Sequence, residues 1–148
     1  MHSPVGDLTL FADDDAIVAL EWGWGSIDDP SPLLIRAKAA LDAYFDGVAE
    51  LPAGLPLAPQ GSSYRQKVWA ALRQIPAGET RSYAQIAAQA GGSARSVGGA
   101  NAANPIPILI PCHRVLGTTG MGGYSGGDGI ATKRILLALE QRIKAAQA

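Results

Sequence analysis

Cysteine and histidine are scarce in this sequence, which has one cysteine and two histidines among its 148 residues. A single cysteine excludes an internal disulfide bond, and so few sulfur and imidazole ligands argue against a closed structural zinc site. The sequence also lacks any apolar run of about 18 residues, the length that a membrane-spanning helix needs. It has no basic start followed by an apolar stretch, as a secretory signal would. We therefore expect a cytoplasmic protein that binds no metal and no membrane.

Charged residues make up only 17% of the chain against 47% hydrophobic residues, which is typical of a globular protein and excludes extensive disorder. The net charge of −1 conceals a strong asymmetry. Residues 1–60 hold two basic and ten acidic side chains, a net charge of −8, whereas residues 61–148 hold ten basic and three acidic ones, a net charge of +7. This pattern favours a polyanion such as nucleic acid as a partner, but attraction between the two halves explains it too.

A proline- and glycine-rich segment, residues 51–61, divides the chain. It predicts an N-terminal domain over residues 1–59 and a C-terminal domain over residues 60–148. Apolar spacing before the segment predicts two strands and a helix, over residues 6–11, 17–22 and 32–45. The three aspartates at residues 13–15 favour a solvated turn over a metal site, because no further ligands accompany them. The N-terminal domain is thus expected to be a small α+β unit.

Three short helices are predicted in the second half, and each begins at a serine: Ser63, Ser82 and Ser93. A glutamine three residues after Ser63, and another after Ser82, completes a capping box at each of these two. The second and third helices are joined by a tight turn at Gly91-Gly92, which predicts a helix-turn-helix. The basic surplus makes DNA a candidate target of this motif, although many short helix pairs bind nothing.

The third of these helices has an unusually smooth face. Four residues share that face because they follow the i, i+3, i+4, i+7 spacing: Arg95, Gly98, Gly99 and Ala102. Each glycine inside a helix costs about 1 kcal/mol relative to alanine, so the pair needs a reason. Close packing against another helix and close approach to a ligand backbone both remain open. The face offers few donors for a major groove and suits shape-based contact, with Arg95 available for insertion into a base stack.

The chemically richest stretch is residues 104–116, Asn-Pro-Ile-Pro-Ile-Leu-Ile-Pro-Cys-His-Arg-Val-Leu. Its three prolines forbid a regular helix, and its apolar run is expected to be buried. A lone cysteine is usually a packed apolar residue. Cys112, however, follows a proline and adjoins His113 and Arg114, which are both able to stabilise a thiolate. We therefore expect a lowered thiol pKa and a nucleophilic sulfur.

Other parts of the second half supply further candidates for the same site. Tyr83, Tyr124 and a glycine-rich loop at residues 120–129 are suited to close over a flat ligand. Glu140 lies on a helix predicted over residues 131–143, near its apolar side. A carboxylate there is placed to orient a histidine, which is the third element of a nucleophile, base and orienter set.

Taken together, these segments resemble the O6-alkylguanine-DNA alkyltransferases. Pro-Cys-His-Arg-Val at residues 111–115 is similar to the active-site motif of that family and is a highly specific signal. Further segments resemble the family in order along nearly the whole chain: residues 3–9, 78–83, 95–100, 104–110, 123–127 and 133–140. The resemblance implies an α+β fold, with a small ribonuclease H-like N-terminal domain followed by a winged helix-turn-helix-like catalytic domain.

The resemblance also implies catalytic roles. Cys112 would attack the alkyl carbon on guanine O6 and keep the alkyl group irreversibly. His113 would act as the base through a water, and Glu140 would orient His113. Asn104 would brace the active-site turn by hydrogen bonding, and Tyr83 would donate a proton to O6 of the leaving guanine. Because no group in the sequence is suited to hydrolyse the thioether product, we expect one turnover per molecule and no cofactor.

DNA contacts are implied for a second set of residues: Arg95, Gly98, Gly99, Ala102, Tyr124, Ser125 and Arg114. In the family, the smooth helix lies in the minor groove and its arginine fills the space of the flipped nucleotide, while Tyr124 and Ser125 would line the base pocket. The chain departs from the family pattern at Ala102 and Ala103, where many relatives carry residues suited to phosphate contact, which predicts a weaker grip on DNA. The loops after Tyr83 and Tyr124 also differ from those of relatives.

The implied partner is double-stranded DNA carrying O6-alkylguanine, with O4-alkylthymine as a further substrate. We expect a monomer, and cooperative binding on DNA stays open. Three alternatives compete with this function. A non-catalytic lesion binder would replace the cysteine, and a regulatory member would need an extra cysteine-rich domain. A cysteine hydrolase is disfavoured because Cys112 and His113 would point apart in an extended segment.

Overall fold

The computed structural model describes residues 1–25, 31–117 and 120–147. Its helices and strands follow in chain order: β1 Leu8–Ala12, β2 Ile17–Trp22, α1 Pro32–Phe45, α2 Ser63–Leu72, β3 Arg81–Ser82, α3 Tyr83–Ala90, α4 Ala94–Ala102, β4 Val115–Leu116 and α5 Ile130–Ala146. A 3₁₀ turn, Cys112–Arg114, precedes β4. The architecture is mixed α+β, with a small N-terminal strand unit and a helical C-terminal unit. No helix in the described ranges has both the length and the apolar character to cross a bilayer.

The N-terminal unit is an antiparallel β1–β2 hairpin with α1 packed beside it. The strand β1 begins two residues later than predicted, because Gly6 adopts a φ of 104° and its N–H bonds Ser3 O to close a turn. At the hairpin tip, the Asp13 carboxylate accepts hydrogen bonds from the backbone N–H groups of Asp15 and Ala16, at 2.9 and 2.8 Å. The aspartates therefore form a turn, as their sequence favours.

The helix α1 has the predicted bounds, because two local signals agree at its start. The Ser31 hydroxyl accepts from the Leu34 N–H at 3.2 Å, and Pro32 occupies the first helical position. Its buried side faces the rest of the protein and carries Ala37, Leu41, Tyr44 and Phe45. This helix brings a tyrosine of the N-terminal unit into the interior.

The proline- and glycine-rich segment is a packed connection. The backbone of Ile17 bonds both Pro56 O, at 2.9 Å, and the Ala58 N–H, at 2.8 Å, and Leu55 is buried. Apolar side chains from both sides of this connection, among them Ile17, Trp69 and Leu136, belong to one continuous core. The two units therefore share one hydrophobic core.

The helices α2, α3 and α4 pack on one another, and α3 and α4 form the predicted helix-turn-helix around Gly91 and Gly92, whose φ angles are 94° and 81°. The capping box predicted at Ser63 is wrong. The extended cap residue is Ser62, which accepts from the Arg65 N–H, and the Gln66 amide donates to Pro59 O instead. Two adjacent serines left the start of α2 ambiguous by one residue.

The segment before the cysteine is buried, as its composition predicts. Ile106, Ile108 and Ile110 are inaccessible to solvent, and Ile108 adopts a φ of 73° that β-branched residues rarely take. The expectation of an extended chain at Cys112 and His113 is wrong, because both lie in the 3₁₀ turn. The following strand β4 pairs in parallel with β3, which brings the start of α3 beside the turn.

Candidate active site

The cysteine turn is braced from behind by two asparagines. The Asn104 amide donates to Ile110 O at 2.8 Å, and its oxygen accepts from the Ile106 N–H at 2.9 Å. The Asn101 amide donates to the carbonyl of Cys112 itself at 3.2 Å. Asn104 was expected at this position, whereas Asn101 was not. It lies on the inner side of α4 and is buried, and a buried amide requires a partner.

The thiol of Cys112 is nearly enclosed, with 5% of the residue exposed. Burial raises its pKa to about 11, and the nearby Asn104 amide and Lys133 ammonium only partly offset this rise. The expected lowering of the thiol pKa is therefore wrong. The side chains of His113 and Arg114 do not stabilise a thiolate, because both are directed to Glu140. The resting sulfur is a protonated thiol that needs a base to react.

The candidate base is His113, which follows Cys112 in the chain. His113 Nε2 lies 2.7 Å from Glu140 Oε2, and both side chains are inaccessible to solvent. Because a carboxylate only accepts, Nε2 carries the proton and Nδ1 holds a lone pair. Nδ1 is buried and has no hydrogen-bond partner among the described residues. Burial lowers the pKa of His113 despite the nearby carboxylate, so the imidazole is neutral near pH 7 and able to take a proton.

The carboxylate of Glu140 is the centre of a polar cluster, buried except at the partly exposed Glu50, which we call the relay: Tyr44, Glu50, His113, Arg114 and Glu140. Arg114 donates through Nε to Oε1 at 2.9 Å and through Nη2 to Oε2 at 2.8 Å. The Tyr44 hydroxyl donates to Oε2 at 2.6 Å. Burial alone would raise the pKa of Glu140, but His113 and Arg114 outweigh it and hold that pKa at about 2. The relay therefore contains a carboxylate that is ionised at neutral pH.

Arg114 is not positioned to contact DNA, contrary to expectation. Only 3% of the residue is exposed, and its guanidinium is fully engaged inside the protein. Besides Glu140, it donates to Ile75 O and to Glu50 Oε1, the latter at 3.2 Å. A buried guanidinium needs such partners, and withdrawing it towards a phosphate would leave Glu140 unpaired. The basic residue next to the histidine is therefore a structural part of the relay.

An open pocket lies beside Tyr83. Six residues line it: Tyr83, Ala84, Ala94, Gly98, Gly117 and Gly123. Tyr83 begins α3 and is half-buried, and burial raises its pKa, so its hydroxyl stays protonated. A side chain on Gly122 would come within 3.0 Å of the Tyr83 ring, so this loop approaches the tyrosine closely. The pocket is thus bounded by a phenol and by bare backbone.

The smooth face, which consists of Arg95, Gly98, Gly99 and Ala102, borders this pocket through Gly98. The side chain of Arg95 is exposed, as are Gly99 and Ala102. No atom lies within 4 Å of where a Gly99 side chain would begin, so packing against another helix does not explain that glycine. The open space favours the alternative, in which the backbone of α4 approaches a ligand.

Tyr124 and Ser125 lie on the glycine-rich loop but differ in exposure. Ser125 is exposed, whereas the Tyr124 hydroxyl is buried without a hydrogen-bond partner in the described parts of the chain. The loop rests on Trp22 of β2, whose ring meets Tyr124 edge to face. A side chain at Gly126 would come within 2.5 Å of the Trp22 ring, so only glycine allows this contact.

Lys133 holds the same loop through hydrogen bonds to its backbone. It was not among the site residues predicted from the sequence. Its buried ammonium donates to the carbonyls of Val115, Met121 and Gly123, at 2.7, 2.5 and 3.2 Å. A signal was present in the sequence. Lys133 shares the apolar stripe of α5 with Leu136, Glu140 and Ile143, and two charges on a buried stripe indicate internal partners. Tyr44, on the buried side of α1, carries the same signal.

The fold and the site combine a helix-turn-helix of the kind that binds DNA with a buried thiol beside an imidazole–carboxylate pair. The family profile described as "6-O-methylguanine DNA methyltransferase, ribonuclease-like domain" matches residues 1–59. The profile described as "6-O-methylguanine DNA methyltransferase, DNA binding domain" matches residues 63–142. The chain therefore belongs to the 6-O-methylguanine DNA methyltransferase family of DNA repair proteins, and its enzyme class is that of the methylated-DNA–protein-cysteine methyltransferases.

Individual relatives agree along nearly the whole chain. The methylated-DNA–protein-cysteine methyltransferase of Mycolicibacterium paratuberculosis is 44% identical over 156 residues, covering 96% of this chain and 90% of the relative. The constitutive enzyme of Bacillus subtilis is 39% identical, with 95% and 92% covered. Among solved structures, Mycobacterium tuberculosis OGT in complex with DNA is 42% identical, with a TM-score of 0.83 over 95% of this chain and 90% of that one.

Proposed function

We propose that this protein repairs O6-alkylguanine in duplex DNA by transferring the alkyl group irreversibly to Cys112. The observation that carries the proposal is the buried arrangement of thiol, imidazole and carboxylate, with Tyr83, which lines an open pocket, close to the thiol. The Cys112 thiol is protonated, the His113 imidazole is neutral with a free Nδ1, and Glu140 is ionised. These are the protonation states that a general-base-assisted nucleophile needs before reaction.

Because the thiol is enclosed, the alkylated nucleobase has to move to it. An alkylated base stacked in a duplex does not reach a buried sulfur, so it has to be extruded, at a cost of a few kcal/mol that a damaged base pair lowers. The smooth face supports a close approach of α4 to the minor groove, with Arg95 entering the stack. The acidic N-terminal unit would face away from the DNA. O4-alkylthymine presents a similar alkylated oxygen and is proposed as a second substrate.

The chemical step is a displacement at the alkyl carbon. The thiol proton passes through a water to His113 Nδ1, and Glu140 stabilises the resulting imidazolium. The sulfur forms a bond to the alkyl carbon while the bond from that carbon to O6 breaks, and its electron pair stays on O6. The Tyr83 hydroxyl donates a proton to the leaving guanine, which would otherwise depart as a poor anion. The product is a thioether, and each molecule reacts once.

The decisive test is the intact mass of the protein after incubation with duplex DNA carrying O6-methylguanine. We expect wild type to gain one methylene per chain and then stop, and Cys112→Ser to gain nothing. Because the chain has one cysteine, the added mass has a single candidate thiol. Unchanged mass with retained binding to the lesion would overturn the transfer proposal and favour a lesion binder instead.

A further inference from the structure

The N-terminal unit reaches into the relay through one hydroxyl. Tyr44 lies on α1 and is inaccessible to solvent, and its hydroxyl donates to Glu140 Oε2 at 2.6 Å. The same oxygen accepts from His113 Nε2 at 2.7 Å and from Arg114 Nη2 at 2.8 Å. Both of those donors belong to the cysteine turn, so Tyr44 is the donor to this oxygen that comes from the other unit.

We propose that Tyr44 is a positioning residue for alkyl transfer, because its hydroxyl sets how strongly Glu140 attracts the proton on His113 Nε2. This inference rests on the proposed function and deepens it. It assigns the N-terminal unit a part in the chemistry of the relay, beyond supporting the C-terminal unit.

Three residues donate hydrogen bonds to one oxygen, Glu140 Oε2: Tyr44, His113 and Arg114. Arg114 grips both carboxylate oxygens and fixes the plane of the Glu140 side chain. Tyr44 adds a donor to the oxygen that faces the imidazole, where it competes with His113 for the same electron density. Each donor makes that oxygen a weaker base. With Tyr44 present, Glu140 stabilises the imidazolium but leaves His113 neutral before reaction.

Removing the hydroxyl would therefore change the imidazole. Tyr44→Phe keeps the ring, which packs edge to face on Phe45 with centroids 5.3 Å apart, and deletes a single oxygen. Glu140 would then attract the Nε2 proton more strongly and favour the protonated imidazole. The other charged groups near His113 are Arg114 beside it and Lys133 on α5, and both oppose its protonation and stay in place.

The test is single-turnover transfer with full-length protein and O6-methylguanine duplex, measured across pH at saturating DNA. For Tyr44→Phe we expect the transfer rate at pH 7 to fall about tenfold. We expect the acid limb of the rate profile to move to higher pH, because His113 must be neutral to accept the thiol proton. DNA affinity, measured in a Cys112→Ser background, should be unchanged. The His113 imidazole resonances, which only His2 accompanies, should shift their titration upward.

Phe45→Leu is the matched control, because it loosens the packing at the same end of α1 but keeps the Tyr44 hydroxyl. It should lower thermal stability and leave the rate profile in place. A Tyr44→Phe protein that loses stability but keeps the wild-type rate and acid limb would overturn the inference and leave the proposed function intact. Failure of wild type to transfer would overturn both. If Tyr44→Phe is marginally folded, excess DNA and low temperature favour its native state, and the imidazole titration remains decisive.

Discussion

The relay includes two residues of the cysteine turn, and the smooth face lies on α4, whose Asn101 bonds that turn, but the protein holds the relay and the smooth face in different ways. In the relay, Glu140 is buried and accepts from His113, Arg114 and Tyr44, so each side chain restrains the others. On the smooth face, Arg95 and Gly99 are exposed and only the backbone of α4 positions them. Substitutions in the relay should therefore affect folding and chemistry together, whereas substitutions on the smooth face should affect DNA binding alone.

The largest effect is expected from Glu140→Gln. An amide keeps the shape of the side chain but leaves the Arg114 guanidinium with only the partly exposed Glu50 carboxylate, and breaking a buried pair in this way costs about 3–5 kcal/mol. Transfer should slow by at least about 100-fold, because the base loses its stabilising charge. Urea unfolding and single-turnover transfer measure the two effects.

The neighbouring residue provides the control for that change. Gln141 is exposed and donates to Gly78 O, so Gln141→Ala should change both quantities little. The pH dependence adds a second check. Because folding lowers the pKa of Glu140 from 4.5 to about 2, its stabilisation is present above pH 4.5 and is lost as the pH falls through 2. A Glu140→Gln protein with wild-type stability and acid sensitivity would show that the side chains of the relay do not restrain one another.

A second prediction concerns the reactivity of the Cys112 thiol. Raising the pKa of Cys112 from 9.0 to about 11 leaves about one hundredth as much thiolate at pH 8. Alkylation by iodoacetamide should therefore be about 100-fold slower in the native protein than in urea-unfolded protein, and should accelerate as the pH approaches 11. Mass spectrometry follows the reaction without ambiguity, since no other cysteine is present. Rapid labelling of the native protein at pH 7 would contradict a buried, protonated thiol.

The smallest effect on the fold is expected from Arg95→Ala. Transfer from duplex DNA should fall about tenfold, because the space of the flipped nucleotide is no longer filled. Transfer from free O6-methylguanine base should be unchanged, and the unfolding free energy should stay within about 0.5 kcal/mol of wild type. Arg36→Ala removes the same charge from an exposed position on α1 and should alter neither substrate. Equal losses with duplex and free base would place Arg95 in the chemistry instead.

Local signals predicted most of the fold. The bounds of α1 were predicted correctly from the helical spacing of its apolar residues, and the helix-turn-helix was recognisable from Ser82, Ser93 and the glycine pair between them. The segment around Cys112 was identified because its prolines, histidine and apolar run occur in one short stretch. Where two equivalent signals stood side by side, as at Ser62 and Ser63, the prediction erred by one residue.

Long-range partners could not be predicted in the same way. Arg114 was assigned to DNA because nothing near it in the sequence shows that Glu50 and Glu140 will enclose it. Tyr44 meets Glu140 across 96 residues of chain, and no periodicity specifies that pairing. The thiol pKa was predicted in the wrong direction for a related reason. Cys112 is followed in sequence by two basic side chains, His113 and Arg114, but its burial and the direction of those side chains decide the outcome.

The distance along the chain between the members of the relay also bears on the order of folding. Arg114 finds its carboxylate on α5, the last helix in the sequence, and that carboxylate binds a hydroxyl from the first helix. Contacts of such high sequence separation form late, since the entropy of closing the intervening loop is lost before they contribute. Under the proposed function, the thiol therefore gains its base only in a chain that has finished folding, and a nascent or partly folded chain would carry an unassisted cysteine.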